Sequence, residues 1–153
     1  MIHCLFLINR QGKIRLTKWY THSYTLAERT KFLKEINNIV LTRSSKLCSF
    51  LDWKDYKIVY KKYASLYFIS IVDKADNELM VLETMHHFVE ILDKYFNSVC
   101  ELDLIFNFHK AYYLLDELLM GGYVQESSKK AIMKAVSGQE ALVDETVQEI
   151  DEN

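Results

Sequence analysis

Residues Ile2 to Ile8 form a nearly continuous apolar run, which predicts a central β-strand buried on both faces. Asn9-Arg10-Gln11-Gly12 reads as a turn. From Lys13 the pattern alternates, with Ile14, Leu16 and Trp19 roughly opposed to Lys13, Arg15 and Lys18. A hairpin partner with one wet, basic face is expected, and Arg15 is expected to point outward. Thr25-Leu-Ala-Glu28 has the spacing of a capping box, and Leu26, Leu33, Ile36 and Val40 follow near helical spacing up to Ser44-Ser45, so a first helix is placed there. Cys48 to Trp53, Tyr56 to Tyr60 and Leu66 to Val72 read as three β-rich runs. Leu82, Met85, Val89, Leu92 and Phe96 make one stripe at spacings of three and four, the mark of a second helix. A third helix is predicted from about Leu102 to Met120, ending in a left-handed cap at Gly121-Gly122. Ser127 or Ser128 is positioned to cap a fourth through Val136.

The order ββαβββααα describes an α+β fold, a five-stranded antiparallel sheet packed with helices. One domain over residues 1–137 and an acidic C-terminal tail over 138–153 are the expected organisation; no repeat or linker interrupts the chain and proline is absent. The third helix carries Ile105, Phe106, Phe108, Tyr112, Tyr113, Leu114, Leu115, Leu118 and Leu119 around nearly its whole circumference. A surface helix keeps a polar face, so a second chain is expected to cover part of this one.

Composition narrows the classes further. Half of the 153 residues are hydrophobic, yet no stretch reaches the roughly 18 apolar residues of a membrane-spanning helix. The start MIHCLFLINR lacks the layout of a signal peptide, which points to a cytosolic location. Cys4, Cys48 and Cys100 are widely spaced among apolar neighbours and are expected to be reduced core thiols. The net charge of −2 conceals an asymmetry: residues 1–75 hold 14 Lys/Arg against 5 Asp/Glu, and residues 76–153 hold 5 against 16. The basic residues are dispersed through strands without a nucleic-acid motif, so an acidic partner, a peptide or an anionic membrane fits better than nucleic acid.

Catalytic and cofactor chemistry finds little support. His86 and His87 are adjacent on a helix and diverge by about 100°, with no Cys or His at helical spacing to complete a metal site. Cys100 beside Glu101 and Asp103 is a poor thiolate, even with His109 as a notional base. Asp116 and Glu117 diverge in the same way and read as a solvated face. Gly12 is the only glycine before residue 121, so no phosphate-cradling loop is present in the first elements. No catalytic residue, metal or cofactor is assigned.

The stretches RQGKIRLTKWY (10–20), CSFLDWKDYKIVYKKYASLYF (48–68), DNELMVLETMHHFVEILDKYFNSVCELDLIFNFHKAYYLLDELLMGG (76–122) and VQESSKK (124–130) closely resemble the sigma, or small, subunits of clathrin adaptor complexes. The run FNSVCELDLIFNF is the most specific part. Trp53, KKYASLYF and FNFHKAYYLLDELLMGG look most like the type-one complex of the trans-Golgi network and endosomes, with the plasma-membrane complex as the alternative. A longin-type trafficking module of another kind would share the fold but lack FNSVCELDLIFNF.

The resemblance implies a longin-like fold held by a large gamma-type subunit, with beta and mu subunits completing a heterotetramer. It also implies a peripheral location on trans-Golgi network and endosome membranes and on clathrin-coated vesicles, with clathrin and membrane engaged through the complex. It further implies a seat for acidic dileucine sorting signals, [D/E]xxxL[L/I], in cargo tails. Matched residue by residue, the leucine-binding positions are Ala64, Leu66, Val89, Val99 and Leu104, with Ser98 on the rim and Arg15 near the acidic residue. Relatives of the plasma-membrane type often carry Asn at the position of Ser98. From the residues alone, Val89, Val99 and Leu104 read as core, Ala64 and Leu66 as alternating positions at a strand start, and Arg15 as a solvated charge.

Overall fold

The computed structural model describes residues 1–124. Five strands form one antiparallel sheet in the order β2-β1-β5-β4-β3. They are β1 Ile2–Ile8, β2 Ile14–Trp19, β3 Phe50–Trp53, β4 Tyr56–Tyr63 and β5 Leu66–Asp73. The continuous apolar runs of β1 and β5 become interior strands because both sheet faces are covered. Leu5, Leu7, Leu66, Phe68 and Val72 face one core, shared with α2 (Glu78–Phe96), α3 (Glu101–Phe106) and α4 (Phe108–Leu118). Cys4, Phe6, Ile8, Ile69 and Ile71 face the other, closed by Leu33, Ile36 and Val40 of α1 (Leu26–Thr42). The result is a sheet between two helical layers.

The predicted capping box is present. Glu28 N–H donates to Thr25 Oγ1 at 3.3 Å and Thr25 N–H donates to the Glu28 carboxylate at 2.7 Å, so two otherwise orphaned amides at the start of α1 are satisfied. At α2, the Asn77 side chain accepts from the Leu79 and Met80 amides. The predicted stripe holds, with Met85, Val89 and Leu92 fully buried.

Four expectations change. Strand alternation in β2 breaks at a bulge: Leu7 pairs with Leu16 and Ile8 with Ile14, leaving Arg15 as the extra residue. A bulge re-aims one side chain, and Arg15 turns to α3 instead of standing free in solvent. The third helix is interrupted at Asn107 (φ −125°, ψ 38°), so α4 takes its own rotation about its axis. Its Ala111, Leu114, Leu115 and Leu118 close the chain's own core, while Leu102, Phe106 and Phe108 remain 60%, 74% and 55% exposed. Gly121-Gly122 does not cap a helix. Both glycines have positive φ and form the two-residue loop of a small hairpin, β6 Leu119–Met120 and β7 Tyr123–Val124. A Cβ on Gly122 would lie 2.1 Å from the Ile2 carbonyl oxygen, so the close approach of β1 requires glycine there.

The fourth correction concerns the thiols: only Cys4 lies in the core, while Cys48 and Cys100 are exposed. Burial pushes the Cys4 thiol pKa up, which keeps it protonated. The predicted fourth helix and the acidic tail, with the domain boundary at 137/138, lie outside the described residues.

Candidate functional site at the α2–α3 junction

The link from α2 to α3 begins with two consecutive residues at positive φ, Asn97 (54°) and Ser98 (76°). This reversal is held by Asp93, one turn from the end of α2. Its carbonyl accepts from Ser98 N–H at 2.9 Å, and its carboxylate accepts from Val99 N–H at 2.9 Å. The other carboxylate oxygen accepts from the Tyr63 hydroxyl at the end of β4. That hydrogen bond is the main reason the Tyr63 pKa is raised. Asp93 therefore ties the β4 end, the helix end and the chain reversal together.

Four of the five sequence-matched apolar residues lie in the core covered by these elements. Leu66 at the start of β5, Val89 on α2, Val99 in the link and Leu104 on α3 belong to one core cluster. Their exposures are 0%, 1%, 3% and 1%, so the cluster is closed to water. Tyr63 and Phe96 pack against it from the margin, each half-buried. Ser98 is exposed on the rim. Ala64 departs from the strand-start reading: Tyr63 pairs with Leu66, so Ala64-Ser65 is the hairpin turn, and Ala64 is exposed at φ +52°.

Arg15 joins the same junction through a carboxylate. Its Nε donates to Glu101 Oε1 at 2.7 Å, and Asn9 Nδ2 donates to that oxygen at 2.9 Å. The Asn9 hydrogen bond and then the Arg15 guanidinium hold the Glu101 carboxyl below its ordinary value near 4.5. Glu101 opens the short helix that carries Leu104. The charged and apolar parts of the site are thus linked by α3.

Sequence reasoning missed Tyr63, Asp93, Asn9 and Glu101. Asp93 carried a usable signal, because an acidic residue in the last turns of a helix opposes the helix dipole and needs a local partner. Glu101 carried none, since an acid in a first helical turn is ordinary.

The sites weighed for other chemistry have local partners. His86 Nε2 lies 2.6 Å from Glu90 one turn on. The Cys100 thiol donates to Asp103 at 3.4 Å. Asp116 pairs with Lys18 at 3.3 Å. Among the described residues no three His, Cys, Asp or Glu side chains are grouped to hold a metal ion. No described helix is long and apolar enough to cross a membrane.

A sequence profile of the family described as clathrin adaptor complex small chain matches residues 1–143. This chain is a clathrin adaptor small chain. It is 61% identical over 144 residues to the AP-1 complex subunit sigma-1 of Arabidopsis thaliana, covering 94% of this chain and 89% of that one. It is 54% identical over 145 residues to the AP-1 complex subunit sigma-1A of Homo sapiens, covering 95% and 91%. In structure it matches a chain of a homology model of the full-length AP-3 complex in a stretched open conformation, with a TM-score of 0.75, 32% identity, and 97% and 99% of the two chains covered. The longin-like sheet-and-helix order is therefore that of an adaptor complex subunit. The match at 1–143 leaves the last residues of the acidic tail outside the family's common part.

Proposed function

We propose that this small chain serves in an AP-1-type complex and supplies the seat for acidic dileucine signals in cargo tails. The observation that carries the reading is that Leu66, Val89, Val99 and Leu104 share one buried core cluster, with Arg15 of β2 paired to Glu101 on the helix that bears Leu104. The apolar members match the leucines, Ser98 lies on the rim, and Arg15 matches the acidic residue. The resemblance of its sequence to the type-one subunits supports work at trans-Golgi network and endosome membranes. A gamma-type large chain is the direct partner, with beta and mu subunits completing the complex.

The exposed Leu102, Phe106 and Phe108 supply an apolar face for such a partner. Because the four seat residues are closed, a leucine enters only after the margin at Tyr63 and Phe96 moves. Opening then costs part of the gain. Two leucines are worth about 3 to 6 kcal/mol on burial, and association costs roughly 4 to 15 kcal/mol. Affinity is expected to be micromolar or weaker, with several membrane contacts supplying avidity.

The test is titration of a labelled acidic dileucine peptide into the assembled complex. Val89→Asp places an unpaired carboxylate against the leucine and is expected to abolish binding. A Val89→Asp complex that assembles normally and binds like the unaltered one would remove the assignment.

A further inference from the structure

A concave surface lies on the opposite helical layer. Between α1 and the β1–β2 turn runs a groove of about 780 Å³, and its apolar floor is built from Ile14, Leu41 and the Gly12 turn. Ile14 is 39% exposed.

Three features describe what this groove accepts. Asn37, only 9% exposed, donates Nδ2 to the Gly12 carbonyl at 3.0 Å, but its Oδ1 is buried on the lining without a donor. A buried acceptor left unpaired costs free energy. Lys31 and Lys34, one turn apart, form an exposed rim. Glu35, also in the lining, is drawn to Lys54 at 3.7 Å, and no ion pair to Lys31 or Lys34 is present among the described residues. The groove thus calls for apolar side chains and carboxylates on one segment.

We propose that the occupant is this chain's own C-terminal segment, residues 139–153. That segment carries six Asp/Glu and no Lys or Arg, whereas residues 1–75 have a net charge of +9. Val143, Val147 and Ile150 recur at the spacing i, i+4, i+7, interleaved with Asp144, Glu145 and Glu149. The described part ends at Val124, and with the expected helix through Val136 the fifteen steps from there to residue 139 still span up to roughly 30 Å. A domain of this size has a radius of gyration of about 14 Å, so the segment reaches the groove. Tethering gives it a high effective concentration that a free peptide lacks. The segment therefore covers the α1 groove until a competing acidic, apolar peptide displaces it.

Zero-length carbodiimide cross-linking of the assembled complex, followed by peptide mapping, tests this directly. The expected products join Lys31 or Lys34 to Asp or Glu residues of 140–152 within one chain. Products confined to other lysines, no tail products at all, or products only between isotopically distinguished copies overturn the proposal. A second measurement adds a labelled synthetic peptide of residues 139–153. It is expected to bind about tenfold more weakly to the unaltered complex than to a full-length variant carrying Asp144→Asn, Glu145→Gln and Glu149→Gln, whose groove is vacated. Lys31→Glu with Lys34→Glu removes that binding, and a peptide with Lys at 144, 145 and 149 restores it. Equal binding to the unaltered and vacated complexes, or no rescue by the charge swap, overturns the proposal.

Discussion

The Nε of Arg15 donates to the Glu101 carboxylate at 2.7 Å, so the residue matched to an incoming acidic signal already holds an acid of its own chain. Asn9 holds the same oxygen, and the Arg15 side chain is 19% exposed. On the proposed dileucine reading, a peptide carboxylate competes with Glu101 for Arg15. Glu101→Gln removes the competing charge, and the acidic peptide is expected to bind about two- to fivefold more tightly while its Gln-substituted analogue is unchanged. Arg15→Ser is expected to weaken the acidic peptide by a similar factor, and the unaltered interaction to weaken as salt rises. Titrations at two ionic strengths check this. An acidic-to-neutral preference that survives Arg15→Ser assigns the acid to another residue.

The pH dependence of the same pair has a definite sign. Glu101 is held below its ordinary value near 4.5 in the folded chain, so its contribution is complete above that value and is lost as pH falls through the lower, folded one. Glu78, lowered chiefly by its hydrogen bond from Lys57, behaves in the same way. Thermal stability of the assembled complex is expected to fall with acidification in that window, and less steeply for Glu101→Gln. Identical profiles for the two proteins would show that the pair contributes nothing to folding.

Ala64 and Gly122 separate backbone strain from steric contact. Ala64 occupies a left-handed turn position at φ +52°, where glycine avoids the Cβ penalty, so Ala64→Gly is expected to stabilise the chain by about 0.5 to 1 kcal/mol. Gly122→Ala forces a Cβ against the Ile2 carbonyl and is expected to cost about 2 to 4 kcal/mol, whereas Gly121→Ala, with open space around it, costs about 1 kcal/mol. Melting temperatures of the three co-assembled variants give the ranking. Equal losses at the two glycines would mean that β1 does not approach the hairpin as described.

Leu102, Phe106 and Phe108 present apolar surface that nothing in residues 1–124 covers. Expressed alone, the chain is expected to aggregate or remain bound to chaperones, and co-expression with a gamma-type large chain to rescue it. Leu102→Gln with Phe106→Ser is expected to raise the soluble yield of the lone chain and lower recovery of the complex. Size-exclusion profiles with and without the partner report both effects. A lone unaltered chain that is monomeric and unfolds cooperatively would argue against obligate assembly.

Much of this protein is local and was readable as such. The Thr25–Glu28 capping box lies within one turn, the β1 run declares double burial by its continuity, and the α2 stripe needs only helical spacing. The family is carried by contiguous stretches, FNSVCELDLIFNF above all, and so is also a property of sequence. What the tertiary structure decided depends on partners far apart in the chain. The bulge at Arg15 is a register choice between β1 and β2, and its outcome, the pair with Glu101, spans 86 positions. The break at Asn107 lets one apolar stretch serve two surfaces, while Gly122 is fixed by the carbonyl of Ile2 at the other end of the described chain. Tyr63 meets Asp93 because a strand end and a helix end arrive together. Periodicity assigns each element its buried face, but bulges, breaks and closures are settled by packing between elements, where a hydrogen bond or a single Cβ outweighs local preference.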